Sequence, residues 1–108
     1  MVANHMFAFS SVLDGAAIIA GNAYGCGPVM GNATNGSCYT DQPPMDYGGL
    51  YAYANDRAAQ GLIDPLSNLM STPLYLYGGT DDTIVLQEEM VAAATFFAHY
   101  TSESKIQA

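Results

Sequence analysis

The chain has 108 residues, half of them apolar, with ten acidic side chains against Arg57 and Lys105, for a formal net charge of -8. That length holds one domain at most. So acidic a surface argues against nucleic acid or an anionic membrane as partner, because both require a basic patch, and no run reaches the roughly 18 apolar residues of a membrane span.

In chain order, MVANHMFAFSSV sets Val2, Met6, Phe9 and Val12 on one helical face, and the spacing predicts a helix ending near Ser10 or Ser11. No Asp, Ser or Pro caps its first turn, which reads as a chain cut inside an element, and no basic region of a secretory signal precedes it. Residues 15–21, GAAIIAG, form an apolar run between glycines that predicts a strand buried on both faces of a parallel sheet. Residues 22–53 turn to Gly, Asn, Pro, Ser and Tyr without period, a long surface excursion with Cys26 and Cys38 as its tie.

A short helix is expected over 53–61 with Asn55 or Asp56 as cap, and Asp64-Pro65 starts another. Pro73 opens the strand of LYLYGGTDDTIV. Over 86–101 an apolar face recurs through Met90, Val91, Ala94, Phe97 and Ala98, while Glu88 and Glu89 complement the positive end of the helix dipole. The last residues, SESKIQA, point towards a strand beyond the chain. The alternation predicts an α/β fold with two parallel strands, flanking helices and a long tied loop, the middle of a larger doubly wound domain.

Asp82 is the candidate for chemistry. A carboxylate just past the carboxyl end of a strand, after the glycine that permits the exit, is where the acid of a Ser-His-Asp hydrolase sits. The competing reading is a turn or helix-cap aspartate. Asp81 is expected to be its solvated neighbour, since adjacent loop side chains diverge. No G-x-S-x-G occurs in the chain, and Ser10 and Ser11 end a helix rather than occupy a strand-to-helix elbow. His5 and His99 lack partners at ligand spacing and read as surface or boundary residues; no cofactor or metal is implied.

Cys26 and Cys38 read as a disulfide or as two free thiols, and the Gly- and Asn-rich loop favours the bridge, which implies an oxidising compartment. Two sequons, Asn32-Ala33-Thr34 and Asn35-Gly36-Ser37, lie between them. The tyrosines at 39, 47, 51 and 53 either present rings to a flat apolar ligand or give the loop an apolar underside.

Together SSVLDGAAIIAGNAYGC, IDPLSNL and LYLYGGTDDTIV, in that order and spacing, resemble the extracellular poly(3-hydroxybutyrate) depolymerases and related α/β-hydrolase esterases. The resemblance covers nearly the whole chain. It implies a partial α/β-hydrolase fold in which Asp82 is the triad acid and Cys26 and Cys38 are the loop cysteines. The nucleophile elbow would lie before Met1 and the catalytic histidine beyond Ala108, so residues 1–108 would be an internal fragment, inactive alone. Its parent would be extracellular or periplasmic and act on a polyester or small ester. Two departures, Gly21-Asn22-Ala23-Tyr24 for G-G-P-Y and Leu86 for a common proline, leave the ester open. The reading from another class is a non-catalytic secreted binding module using the Tyr-rich tied loop, and a third is an inactive relative.

Overall fold

The computed structural model describes residues 2–30, 38 and 45–107. Helix α1 (Val2–Ala8) leads to β1 (Ala16–Ile19), α2 (Cys26–Met30) and α3 (Tyr47–Ala59); a 3-10 segment (Leu66–Ser71) precedes β2 (Leu74–Tyr77), and α4 (Gln87–Ala98) precedes a 3-10 turn (Glu103–Lys105) and β3 (Ile106–Gln107). The strands form one parallel sheet in the order β1-β2-β3. The fold is therefore α/β, with three strands among the described residues where two were expected. The third arises because the chain turns back after α4: the Ser102 amide donates to the Met70 carbonyl at 3.0 Å. This brings Ile106 opposite Leu74, so the expected strand lies within the chain.

Period-2 alternation decides which side of the sheet is covered. Ile18, Leu74 and Leu76 point into the core, and register sets Ile18 opposite Leu76. Phe7 of α1 lies 5.7 Å from Phe96 and 6.1 Å from Phe97 of α4, so both helices share that face. Burying each such ring stabilises by about 1.5–3 kcal/mol. The other face is open among the described residues: Ile19 is 69%, Tyr75 44% and Tyr77 53% exposed. The strand expected to be buried on both faces thus has one covered side, because α1 and α4 pack together rather than on opposite faces.

Three helix assignments change. In α1 the buried residues are Ala3, Met6 and Phe7, whereas Val2 and, in the turn beyond the helix, Phe9 and Val12 are exposed. Both sets have helical spacing, and the aromatic contacts of Phe7 choose between them. In α4 Met90 and Phe97 are buried as read, but Val91 is exposed and Ala92, Ala93 and Phe96 face inward, because Phe96 turns towards Phe7 and Tyr51.

Helix α3 begins at Tyr47, inside the segment expected to be an excursion, and its cap is Asp46 rather than Asn55 or Asp56. The Gly49 amide donates to the Asp46 carboxylate at 3.0 Å. A side chain at position 49 would collide with that carboxylate, which is why a poor helix former occupies the first turn. Leu50 and Ala54 anchor the helix to the core. The tyrosine at 39 and both sequons lie outside the described residues.

Candidate functional site

Because β1 and β2 are parallel neighbours, their carboxyl ends open on the same side of the sheet. Two loops leave from there, residues 20–25 and residues 78–86. In open α/β sheets this end is where ligands bind, since the diverging crossovers leave a crevice.

The first exit is tightly tethered. The Ala20 amide donates to the Tyr77 carbonyl at 2.9 Å. Ala20 holds a left-handed backbone (φ 52°), which costs an alanine about 1–2 kcal/mol. The surrounding bonds hold it there: Asn22 Nδ2 donates to the Cys38 carbonyl at 3.1 Å, and Cys26 is joined to Cys38 by a disulfide with 5.9 Å between Cα atoms. Tyr24 then stacks on Phe7 at 4.7 Å and lies 5.6 Å from Tyr53. Burial, chiefly, raises the Tyr24 hydroxyl pKa; Tyr53 adds to the rise and the charge of Arg57 opposes it. Beside these residues is a cavity of about 450 Å³ whose wall includes Asn4, Asn22, Tyr24 and Tyr53.

The second exit carries Asp82. Its amide donates to the Gly79 carbonyl at 3.3 Å, closing a turn, and its Oδ1 accepts from the amides of Ile84 at 2.9 Å and Val85 at 3.0 Å. Both bonds fall on one oxygen, so Oδ2 has no partner among the described residues. Asp82 is half-buried and Asp81 exposed. The turn reading and the catalytic reading of Asp82 are therefore compatible: one carboxylate oxygen braces the loop and leaves the other to accept.

The remaining candidates are occupied elsewhere. Ser10 Oγ donates to the Pro65 carbonyl at 3.2 Å, and Ser11 donates from both amide and hydroxyl to Asp64, which holds that carboxyl below the usual aspartate range. These bonds tie the end of α1 to the loop before β2. His99 stacks on Tyr51 at 3.8 Å, and His5 lies 5.9 Å from Phe9; both are exposed. No three His, Cys, Asp or Glu side chains converge on a metal-sized site among the described residues, and no described helix is long and apolar enough to cross a membrane.

Sequence reasoning passed over Arg57, whose guanidinium carbon lies 4.8 Å from the centre of the Tyr53 ring. The i, i+4 spacing of Tyr53 and Arg57 was the available signal, but it requires the helix to begin before Tyr53.

No protein-family model matches the chain. A poly(3-hydroxybutyrate) depolymerase of Delftia acidovorans is 30% identical over 104 residues, 94% of this chain and 21% of that protein. The crystal structure of a PHB depolymerase from Penicillium funiculosum superposes with a TM-score of 0.82 at 22% identity, over 97% of this chain and 32% of that one. A PHB depolymerase complexed with an R3HB trimer gives the same values. The resemblance read from the motifs is thus real: this chain is similar in sequence and fold to PHB depolymerases. It spans about a fifth of the curated relative and about a third of the solved ones.

Proposed function

We propose that the chain is an internal portion of a secreted serine esterase of the PHB depolymerase kind, in which Asp82 is the acid of a Ser-His-Asp triad. The observation that carries this is the half-buried Asp82 at the carboxyl end of β2, with Oδ1 held by two backbone amides and Oδ2 free to accept. A carboxylate so anchored would hold an imidazole in one tautomer and stabilise the imidazolium formed when that imidazole takes the serine proton. The acyl-enzyme formed by attack on the ester carbonyl would then be hydrolysed by water, with backbone amides near the nucleophile stabilising the oxyanion.

The relative complexed with an R3HB trimer supports a polyester, or its oligomers, as substrate class. The disulfide supports an extracellular or periplasmic location, since such bridges persist in oxidising compartments. The open sheet face carrying Ile19, Tyr75 and Tyr77 supports the view that further chain covers it in a complete hydrolase domain. The same open face weighs against a self-contained binding module.

The test compares a short-chain chromogenic ester with the chain alone and with its reading frame extended in both directions. The extended protein should turn over and the 108 residues should not. Asp82→Asn in the extended protein should lower kcat by roughly 10⁴-fold, the scale of losing the triad acid. Serine-type turnover by the isolated chain, or an Asp82→Asn enzyme of full activity, would sink the reading.

A further inference from the structure

The cavity of about 450 Å³ at the exit of β1 takes no part in the proton handling assigned to Asp82. None of the described residues on its wall is Asp, Glu, Lys, Arg or His, in a chain that carries ten acids. Its polar side chains are Asn4, Asn22, Tyr24 and Tyr53; the remainder of the wall is alanine, glycine, proline and the Cys26–Cys38 disulfide. All four keep polar atoms unspent. Asn22 uses Nδ2 on the Cys38 carbonyl at 3.1 Å, which fixes its amide and leaves Oδ1 without a partner among the described residues. The Asn4 amide and the hydroxyls of Tyr24 and Tyr53 likewise bond to no described residue. Packing holds both phenols in place: Tyr24 stacks on Phe7 at 4.7 Å, and the Arg57 guanidinium carbon lies 4.8 Å from the centre of the Tyr53 ring. Burial also keeps the Tyr24 hydroxyl protonated, and so able to donate.

We propose that this cavity is a binding site for a neutral pyranose ring, held by Asn4, Asn22, Tyr24 and Tyr53. The proposal does not rest on the ester-hydrolase reading. A space of this volume lies within the range of small-molecule sites, roughly 300–1,000 Å³. The number and kind of unspent groups then select the ligand. Each tyrosine hydroxyl and the Asn4 amide both donate and accept, while Asn22 Oδ1 accepts. A ligand with one hydroxyl would satisfy one of these groups and desolvate the others, a net loss. Several hydroxyls around one ring satisfy them together and reproduce the hydrogen bonds of the water they displace. The C–H face of the same ring suits tyrosines, whose apolar bodies carry polar tips. A sugar acid would find no cation on the described wall and is opposed by the net charge of -8, and a cationic ligand would find no carboxylate there.

Gly27 supplies the decisive variant. It lies on the cavity wall and a Cβ there meets nothing within 4 Å, so Gly27→Trp fills the space without displacing packed atoms. Calorimetric titration of the protein with its reading frame extended, using methyl β-glucopyranoside and methyl β-xylopyranoside, should give saturable binding of at least one, with a Kd on the order of 1 mM for a ligand of that size. Gly27→Trp should abolish the binding, and Asn4→Ala and Tyr53→Phe should each raise Kd several-fold at unchanged melting temperature. If Gly27→Trp does not fold, those two polar truncations decide: an unchanged Kd in both overturns the proposal. So does the absence of saturable binding of either glycoside, equal affinity for cyclohexanol, which has a six-membered ring with one hydroxyl, equal affinity for glucuronate, or full binding by a folded Gly27→Trp protein. The ester-turnover assay is independent: glycoside binding without turnover keeps this site and removes the esterase, and turnover without glycoside binding removes only this site.

Discussion

Phe7 of α1 stacks on Tyr24 in the loop after β1, with ring centroids 4.7 Å apart and planes inclined by 11°. The same Phe7 ring meets Tyr100 edge-on at 5.2 Å, so one side chain joins the first helix, the exit of the first strand and the end of α4. Phe7 is completely buried. Phe7→Ala should cost about 3–5 kcal/mol through lost transfer energy and a residual cavity. Denaturant midpoints at equal slope are the measurement, and Phe7→Leu should lose distinctly less.

The Cys26–Cys38 bridge spans 12 residues. On the chain-entropy account, opening a loop of that size costs about 3 kcal/mol. Urea titration with and without reductant should reproduce the loss, and the double variant Cys26→Ser with Cys38→Ser should show no further response to reductant.

Gly25 and Gly61 both have positive φ, 82° and 73°. Alanine at either should cost about 1 kcal/mol from the backbone alone. They differ in space: a Cβ at Gly61 meets nothing within 4 Å, whereas at Gly25 it would lie 2.6 Å from Tyr53 Cδ1. Gly25→Ala should therefore be worse by about 1–3 kcal/mol, the usual cost of overpacking, and thermal melts of the two variants side by side would read the difference.

Burial pushes the Tyr100 hydroxyl pKa up to about 12, with Tyr51 adding to the rise, and that hydroxyl has no hydrogen-bond partner among the described residues. A raised phenol pKa means that the fold favours the neutral form. The associated stability is whole below the unfolded value near 10.0 and is lost as pH rises through the folded value near 12. Tyr100→Phe should flatten this alkaline decline and, near neutrality, be neutral or stabilising by up to about 1 kcal/mol, since it removes an unsatisfied buried group. Melting temperatures from pH 7 to 11 would check both arms, and an unchanged alkaline slope would count against Tyr100 as its source.

The strand Leu74–Tyr77 was legible because its limits are local: Pro73 before it, Gly78 after it, and apolar residues between. The position of Asp82 was legible for the same reason, since a glycine exit followed by an aspartate is a local arrangement. Helix α3 was not, because Gly48 and Gly49 hide its first turn from any propensity argument, and its cap forms only once Asp46 folds back on it. The cation–π contact of Arg57 was lost with it.

From the amino acids alone follow the α/β alternation, the acidic surface, the cysteine tie and the aspartate beyond a strand, since each depends on residues a few positions apart. Tertiary packing decided which helix faces are buried, that β3 joins the sheet, and that Asp82 keeps one oxygen for its own loop. Several helical and strand faces of this chain are apolar enough to bury, and only contacts between distant segments, such as Phe7 with Tyr24 and Phe96, select among them.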